Sequence, residues 1–193
     1  MKTTTKSLYG AIAATAAPAA IAAMLLFTPA VSAQDADKLA LAKKLVEQAQ
    51  LHKMATLGMQ LSVRRVVAEG KASQEFLACV SAAEPGAFSA GIASLYADRL
   101  SILELKDALK FFESQAGRKY TAYTFWGTEK YAGFAPSTPA VAVTVDEKQA
   151  IDAFIASPVG RKMSGTGSSF ATATQRETLK VIGPLLAACK SST

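Results

Sequence analysis

The sequence predicts an all-α fold: a single antiparallel bundle of about six or seven helices, built from helical hairpins. Two observations carry that expectation. One pattern occurs twice in one register: Ser101-x-x-Glu104 then Phe111-x-x-Ser114-x-x-Gly117-Arg118-Lys119, and Thr144-x-x-Glu147 then Phe154-x-x-Ser157-x-x-Gly160-Arg161-Lys162. The other is the Pro-free stretch from Asp37 to Glu69, where Leu41, Ala42, Leu45, Val46 and Ala49, then Met59, Val63, Val66 and Val67, recur at helical spacing. No segment reads as a strand with a partner to pair with.

The chain opens with an export signal. Lys2 and Lys6 precede an apolar run from Leu8 to Phe27, and Val31-Ser32-Ala33 is a small-residue cleavage site ahead of acidic Asp35 and Asp37. Cleavage is expected near Ala33, which makes residues 1–33 a signal peptide and 34–193 one helical domain, periplasmic or secreted. Pro18, Pro29 and the cleavage site argue against a retained anchor, and no later stretch has the length and apolarity to span a bilayer. The signal holds two of the 21 Lys and Arg and none of the 15 acids, so the mature chain is less basic than the formal net charge of +6 suggests. Charges of both signs alternate along it. That mixture, with export, excludes nucleic acid as a partner.

In the mature chain, Asp35 or Asp37 is an expected N-cap, Gly70 ends the first stretch, and a break or bend near Gln50 to Lys53 would make it two helices instead of one. Met54, Leu57 and Leu61 add a second apolar face to the latter helix, which should therefore be central or face a partner. A short helix from Ser73 to Ala83 stops at Glu84-Pro85-Gly86, and another runs from Ala87 to Leu100 with Phe88, Ile92, Leu95 and Tyr96 on one face. The duplicated units follow, at 101–123 and 144–163. Each begins with a capping box, in which a hydroxyl and a Glu three residues on satisfy orphan N–H groups reciprocally. Each then restarts at a second Ser, followed in one copy by Pro158 at the first helical position.

Expected buried stripes are Ile102, Leu105, Ala108, Leu109 and Phe112 in the first unit, and Ala150, Ile151, Phe154 and Ile155 in the second. Gly117 and Gly160 stand early in a helix, where Gly costs about 1 kcal/mol relative to Ala. Placing that cost twice implies that the missing side chain lets the second helix approach the first, with Arg118, Lys119, Arg161 and Lys162 pointing outward. Ala135 to Val143 reads as an extended connection. Ser164 to Ser169 reads locally as a loop, and Phe170 to Lys190 as a helix that Pro184 bends.

The chemistry-bearing residues are few. His52 is the one histidine, in the expected helical break and remote from both cysteines, so it reads as exposed or loosely packed, a nucleophilic constellation has no base and zinc has no ligand set. His52, Met54 and Met59 do not share a face as a soft-metal site would require, and the methionines read as core. Gly165-x-Gly167 and Gly160-Arg161-Lys162 lack a preceding strand and a Gly-Lys-Ser/Thr ending, which argues against a phosphate loop. Glu104 and Glu147 are accounted for as capping-box members. No catalytic residue, cofactor or metal is expected, and the chain does not read as an enzyme. Cys79 and Cys189 are permitted by export to form a disulfide; the alternative is two buried thiols.

With those residues in place, Leu105-Lys106, Phe111-Phe112-x-Ser114-x-x-Gly117-Arg118-Lys119 resembles a widespread bacterial family of exported helical proteins, catalogued as domain of unknown function twenty fifty-nine. The likeness is carried by Tyr96 to Tyr123, more weakly by Phe154 to Met163 and Lys38 to Glu69. It implies an all-helical exported domain without an assigned activity, and a helix continuing through Ser164 to Ser169. The aromatic, Pro-containing insert from Tyr123 to Val143 departs from the family pattern.

That insert and the residues before it gather Tyr120, Tyr123, Phe125, Trp126, Tyr131 and Phe134, beside Arg118, Lys119 and Lys130. The bland reading is core packing of a helix end; the functional one is an aromatic groove for an apolar ligand or partner. Two roles are therefore expected for this non-catalytic protein. One is a protein-interaction or envelope-maintenance role using the Met54, Leu57 and Leu61 face. The other is a binding module for a lipid-like ligand near Trp126.

Overall fold

The structure, a computed structural model, describes residues 33–164 and 169–191. The described residues are all-α as expected, but with nine α-helices and one 3-10 turn where the sequence predicts about six or seven helices, because each elbow and the break at Gln50 splits what would otherwise be one longer helix. The expected signal peptide, apart from Ala33, and most of the 164–169 segment lie outside them.

Helix α1 (Ala33–Gln48) already includes Asp35 and Asp37, so neither is its cap. Its stripe of Ala42, Leu45 and Val46 is fully buried, mainly against α4 (Ser89–Arg99) and α5 (Ile102–Phe112). Each such aliphatic side chain contributes about 2 kcal/mol by leaving water. The break falls where expected. Gln50 takes a left-handed conformation (φ 51°), and α2 (Leu51–Ala68) restarts directly after it. Gly70 (φ 70°) follows the end of α2, a backbone state that glycine adopts without a Cβ penalty.

Ser73 caps α3 (Gln74–Ser81) by accepting from the Phe76 N–H at 3.1 Å. Pro85–Phe88 forms the 3-10 turn that drives Phe88 into the core before α4. The last helix, α9 (Ser169–Ser191), packs on α3 and α4, with Pro184 inside it. Cys79 of α3 and Cys189 of α9 lie at disulfide distance, 2.04 Å between sulfurs, and are 110 residues apart in sequence. Closing a loop that long stabilises the fold by on the order of 4 kcal/mol in the chain-entropy account.

Both duplicated units form tight elbows: α5 turns into α6 (Gln115–Tyr131), and α7 (Val145–Ala156) into α8 (Pro158–Ser164). Both capping boxes, Ser101 with Glu104 and Thr144 with Glu147, are complete. At the first elbow the Ser114 hydroxyl accepts from the Gly117 N–H at 3.0 Å and donates to the Phe111 carbonyl at 2.6 Å. Ser157 repeats this with Gly160 at 3.0 Å and Phe154 at 2.6 Å. A Cβ on Gly117 would run into the Phe111 carbonyl oxygen and lie 2.7 Å from Phe112 Cα; one on Gly160 would run into the Phe154 carbonyl. Only glycine admits that approach.

The two elbows also hold each other. Lys119 of the first reaches Glu147 of the second at 2.7 Å, and Lys162 of the second reaches Glu104 of the first at 2.5 Å. Between them Phe111 and Phe154 stack, ring centroids 3.9 Å apart and planes 4° from parallel. Arg118, Arg161 and Lys162 are exposed as expected and Lys119 is half-buried, but the two lysines are paired across the elbows. Arg118 and Arg161 donate to the Glu113 and Ala156 carbonyls at the end of the preceding helix, where cations complement the helix dipole.

Two expectations change. The stripe on α7 is shallow, since Ala150 and Ile155 are exposed and Ile151 and Phe154 only half-buried: the second unit packs on the outside of the first. The aromatic insert is helical as far as Tyr131, because α6 continues through it. Glu129 near the end of α6 is buried, and accepts from the Ser137 N–H at 2.8 Å and hydroxyl at 3.0 Å, fastening the connection of residues 132–143 to the helix.

Candidate functional site

An apolar cleft of about 670 Å³ opens between α2 and α9. Its wall on α2 is Met54, Ala55, Gly58, Met59, Ser62 and Val63; its wall on α9 joins polar Thr174, Gln175 and Thr178 to apolar Leu179, Ile182 and Leu186; Tyr96 of α4 and Met163 of α8 close the inner side. The sequence produces it simply. Gly58 removes a side chain where nothing among the described residues lies within 4 Å of a would-be Cβ, and α9 packs on α3 and α4 rather than against this face of α2. The volume falls in the range typical of small-molecule sites.

A smaller cavity of about 180 Å³ adjoins the cleft, sharing Met54, Tyr96 and Met163 and adding Phe112, Tyr120, Thr121 and Phe154. It reaches from the cleft to the stacked phenylalanines of the elbows. Among the described residues, no Asp, Glu, Lys or Arg lines either space. Burial of Tyr96 pushes its phenol well above the ordinary tyrosine range, so it stays protonated and neutral at every physiological pH.

Thr121 is the polar anomaly. Thr124, Thr128, Thr174 and Thr178 each turn the hydroxyl back onto the carbonyl four residues earlier, at 2.8 to 3.0 Å. The Thr121 hydroxyl is buried and has no hydrogen-bond partner among the described residues. Leaving such a group unpaired costs about 1–3 kcal/mol.

Of the aromatic segment proposed from sequence, Tyr120 alone lines these two spaces. Tyr123 and Trp126 pack on one another 5.6 Å apart, Lys130 sits 4.6 Å over the Trp126 ring, and Phe125 is half-buried. The segment is the flank of α6, and Lys119 is engaged by Glu147. The Met54, Leu57 and Leu61 face is likewise not a free surface: Leu61 is buried, Leu57 half-buried, and Met54 belongs to the cleft. Met54 and Met59, read as separate core methionines, both line the cleft.

His52 is not exposed or loosely packed. It is buried, with Nδ1 3.4 Å from the Val46 carbonyl and Nε2 3.7 Å from the Glu47 carboxylate, and so braces the break between α1 and α2. Among the described residues, no group of three or more His, Cys, Asp or Glu is placed to hold a metal ion. No single described helix is long and apolar enough to cross a membrane.

Glu104 and Glu147 are held below the ordinary carboxylate range. The partner elbow's lysine is the larger cause, and the N–H of the cap residue the next. These carboxylates stabilise helix starts and do not converge on the cleft. Comparison with protein-family models, with curated proteins and with solved structures finds no match.

Proposed function

We propose that the protein is an exported, non-catalytic binding module, which holds a lipid-like ligand in the cleft between α2 and α9. The observation that carries this reading is the cleft: a space of small-molecule size, without a charged side chain among the described residues and walled mainly by methionines and aliphatic side chains, with Ser62, Thr174, Gln175 and Thr178 as its polar members. Methionine walls adapt to chain-like ligands because the thioether side chain is flexible and polarizable. The disulfide-distance pair, in a chain that begins with an export pattern, supports an oxidising compartment. The resemblance of the first elbow motif to the exported family described above is consistent with the same address.

N-phenyl-1-naphthylamine, a neutral dye that fluoresces in apolar sites, tests the reading. The purified protein should enhance and blue-shift its emission in a saturable titration. Gly58→Leu places a side chain in the cleft without a clash at its Cβ, so it should weaken dye binding about ten-fold while leaving the unfolding midpoint unchanged or raised. No enhancement with the wild type, or equal affinity in the Leu variant, removes the cleft as a ligand site.

A further inference from the structure

We propose that the inner end of this cleft selects an uncharged polar head group, the hydroxyl or carbonyl of a single-chain amphiphile, through the Thr121 hydroxyl with Tyr96 beside it. The inference rests on the reading of the cleft as a ligand site and adds which ligand enters. A ligand chain lying between α2 and α9 would meet the inner cavity at Met54, Tyr96 and Met163, the residues the two spaces share. Beyond them stands Thr121, buried and unpartnered, while other helical threonines in the same region spend their hydroxyls on their own backbone.

A neutral head satisfies that group: a hydroxyl both donates and accepts, and a carbonyl accepts. A carboxylate or ammonium would have to shed its water where, among the described residues, no side chain of opposite charge lines the wall, and that penalty is far larger than one hydrogen bond repays. Head selection thus comes from the absence of charge as much as from Thr121. The apolar walls tolerate variation in chain, whereas the inner end discriminates.

The test is displacement of bound N-phenyl-1-naphthylamine at pH 8 by 1-decanol, decanoate and decyltrimethylammonium, which share a chain and differ in head. Decanol should compete at least about ten-fold better than either ion. Thr121→Val should weaken decanol about three- to ten-fold, leave dye affinity within about two-fold, and not lower the unfolding midpoint, because it removes an unpaired hydroxyl without changing shape. Thr121→Ser should restore decanol affinity. Equal competition by all three heads overturns the proposal, and so does unaltered decanol affinity in a Val variant that still binds dye; both leave the apolar module standing. Failure of the wild type to bind dye overturns the proposal and the module together. The head-group ranking needs no variant, so a Val protein that does not fold leaves the proposal open to refutation.

Discussion

Glycine at position 117 should be irreplaceable even by alanine, although alanine is the better helix former by about 1 kcal/mol. A methyl there would sit 2.7 Å from the Phe111 carbonyl carbon and from Phe112 Cα, and would run into the Phe111 oxygen. Carbon–carbon contacts settle at about 3.5–4.0 Å, so α6 must retreat from the end of α5 by about 1 Å. The obstacle is main chain and cannot swing away. That retreat carries an overpacking cost of about 1–3 kcal/mol and strains a cap worth about 1 kcal/mol, against the propensity gain. A net loss of about 2 kcal/mol is expected. The control is Gly58→Ala on α2, where nothing lies within 4 Å: there the same change should stabilise by about 0.5–1 kcal/mol. Urea unfolding followed by helical circular dichroism reads both, with the slope checked for constancy. If Gly117→Ala proves as stable as wild type, or if the two variants shift together, the close approach is not what requires glycine.

Ser114→Ala and Ser157→Ala should each cost about 1 kcal/mol as lost caps, read by the same titration; no change in both would contradict the elbow geometry. Acid should loosen the paired elbows. Glu104 and Glu147 have folded pKa values depressed below 4.5, so their stabilisation is full above that value and is lost as pH falls through the depressed ones. Melting temperature measured from pH 6 to 2 should fall in that window, and Glu104→Gln with Glu147→Gln should flatten the fall. Reduction of the Cys79 and Cys189 pair should lower the melting temperature and speed hydrogen exchange in α9 ahead of α5; coincident melts with and without reductant would refute a bridge.

The elbows were legible because their determinants are local. A hydroxyl, a glutamate three residues on, a second serine and a glycine state their geometry within a few residues, and duplication states it twice. The helical break was legible too, although its left-handed residue is Gln50 and not a glycine. The cleft was not. Its walls come from α2, α4, α8 and α9, and each wall residue reads alone as ordinary core: Met54 and Met59 by composition, Tyr96 by its place beside Ile92. Thr121 is indistinguishable in sequence from Thr124, and only packing shows that one of them lacks an acceptor. The shallow face of α7 was misjudged for the same reason, since a stripe of apolar residues does not reveal how much of the domain lies beneath it. The signal that pointed nearest was Gly58, a helix-interior glycine with no turn to explain it.

The embrace of the two elbows has an evolutionary and physical corollary. Each unit carries the cation that its counterpart's glutamate needs and the ring that its counterpart's ring meets, so the contact is isologous, the symmetry of a homodimer drawn within one chain. Residues 132–143 act as the tether that raises the local concentration of one half around the other. An isolated elbow would still carry the instructions for meeting its own duplicate.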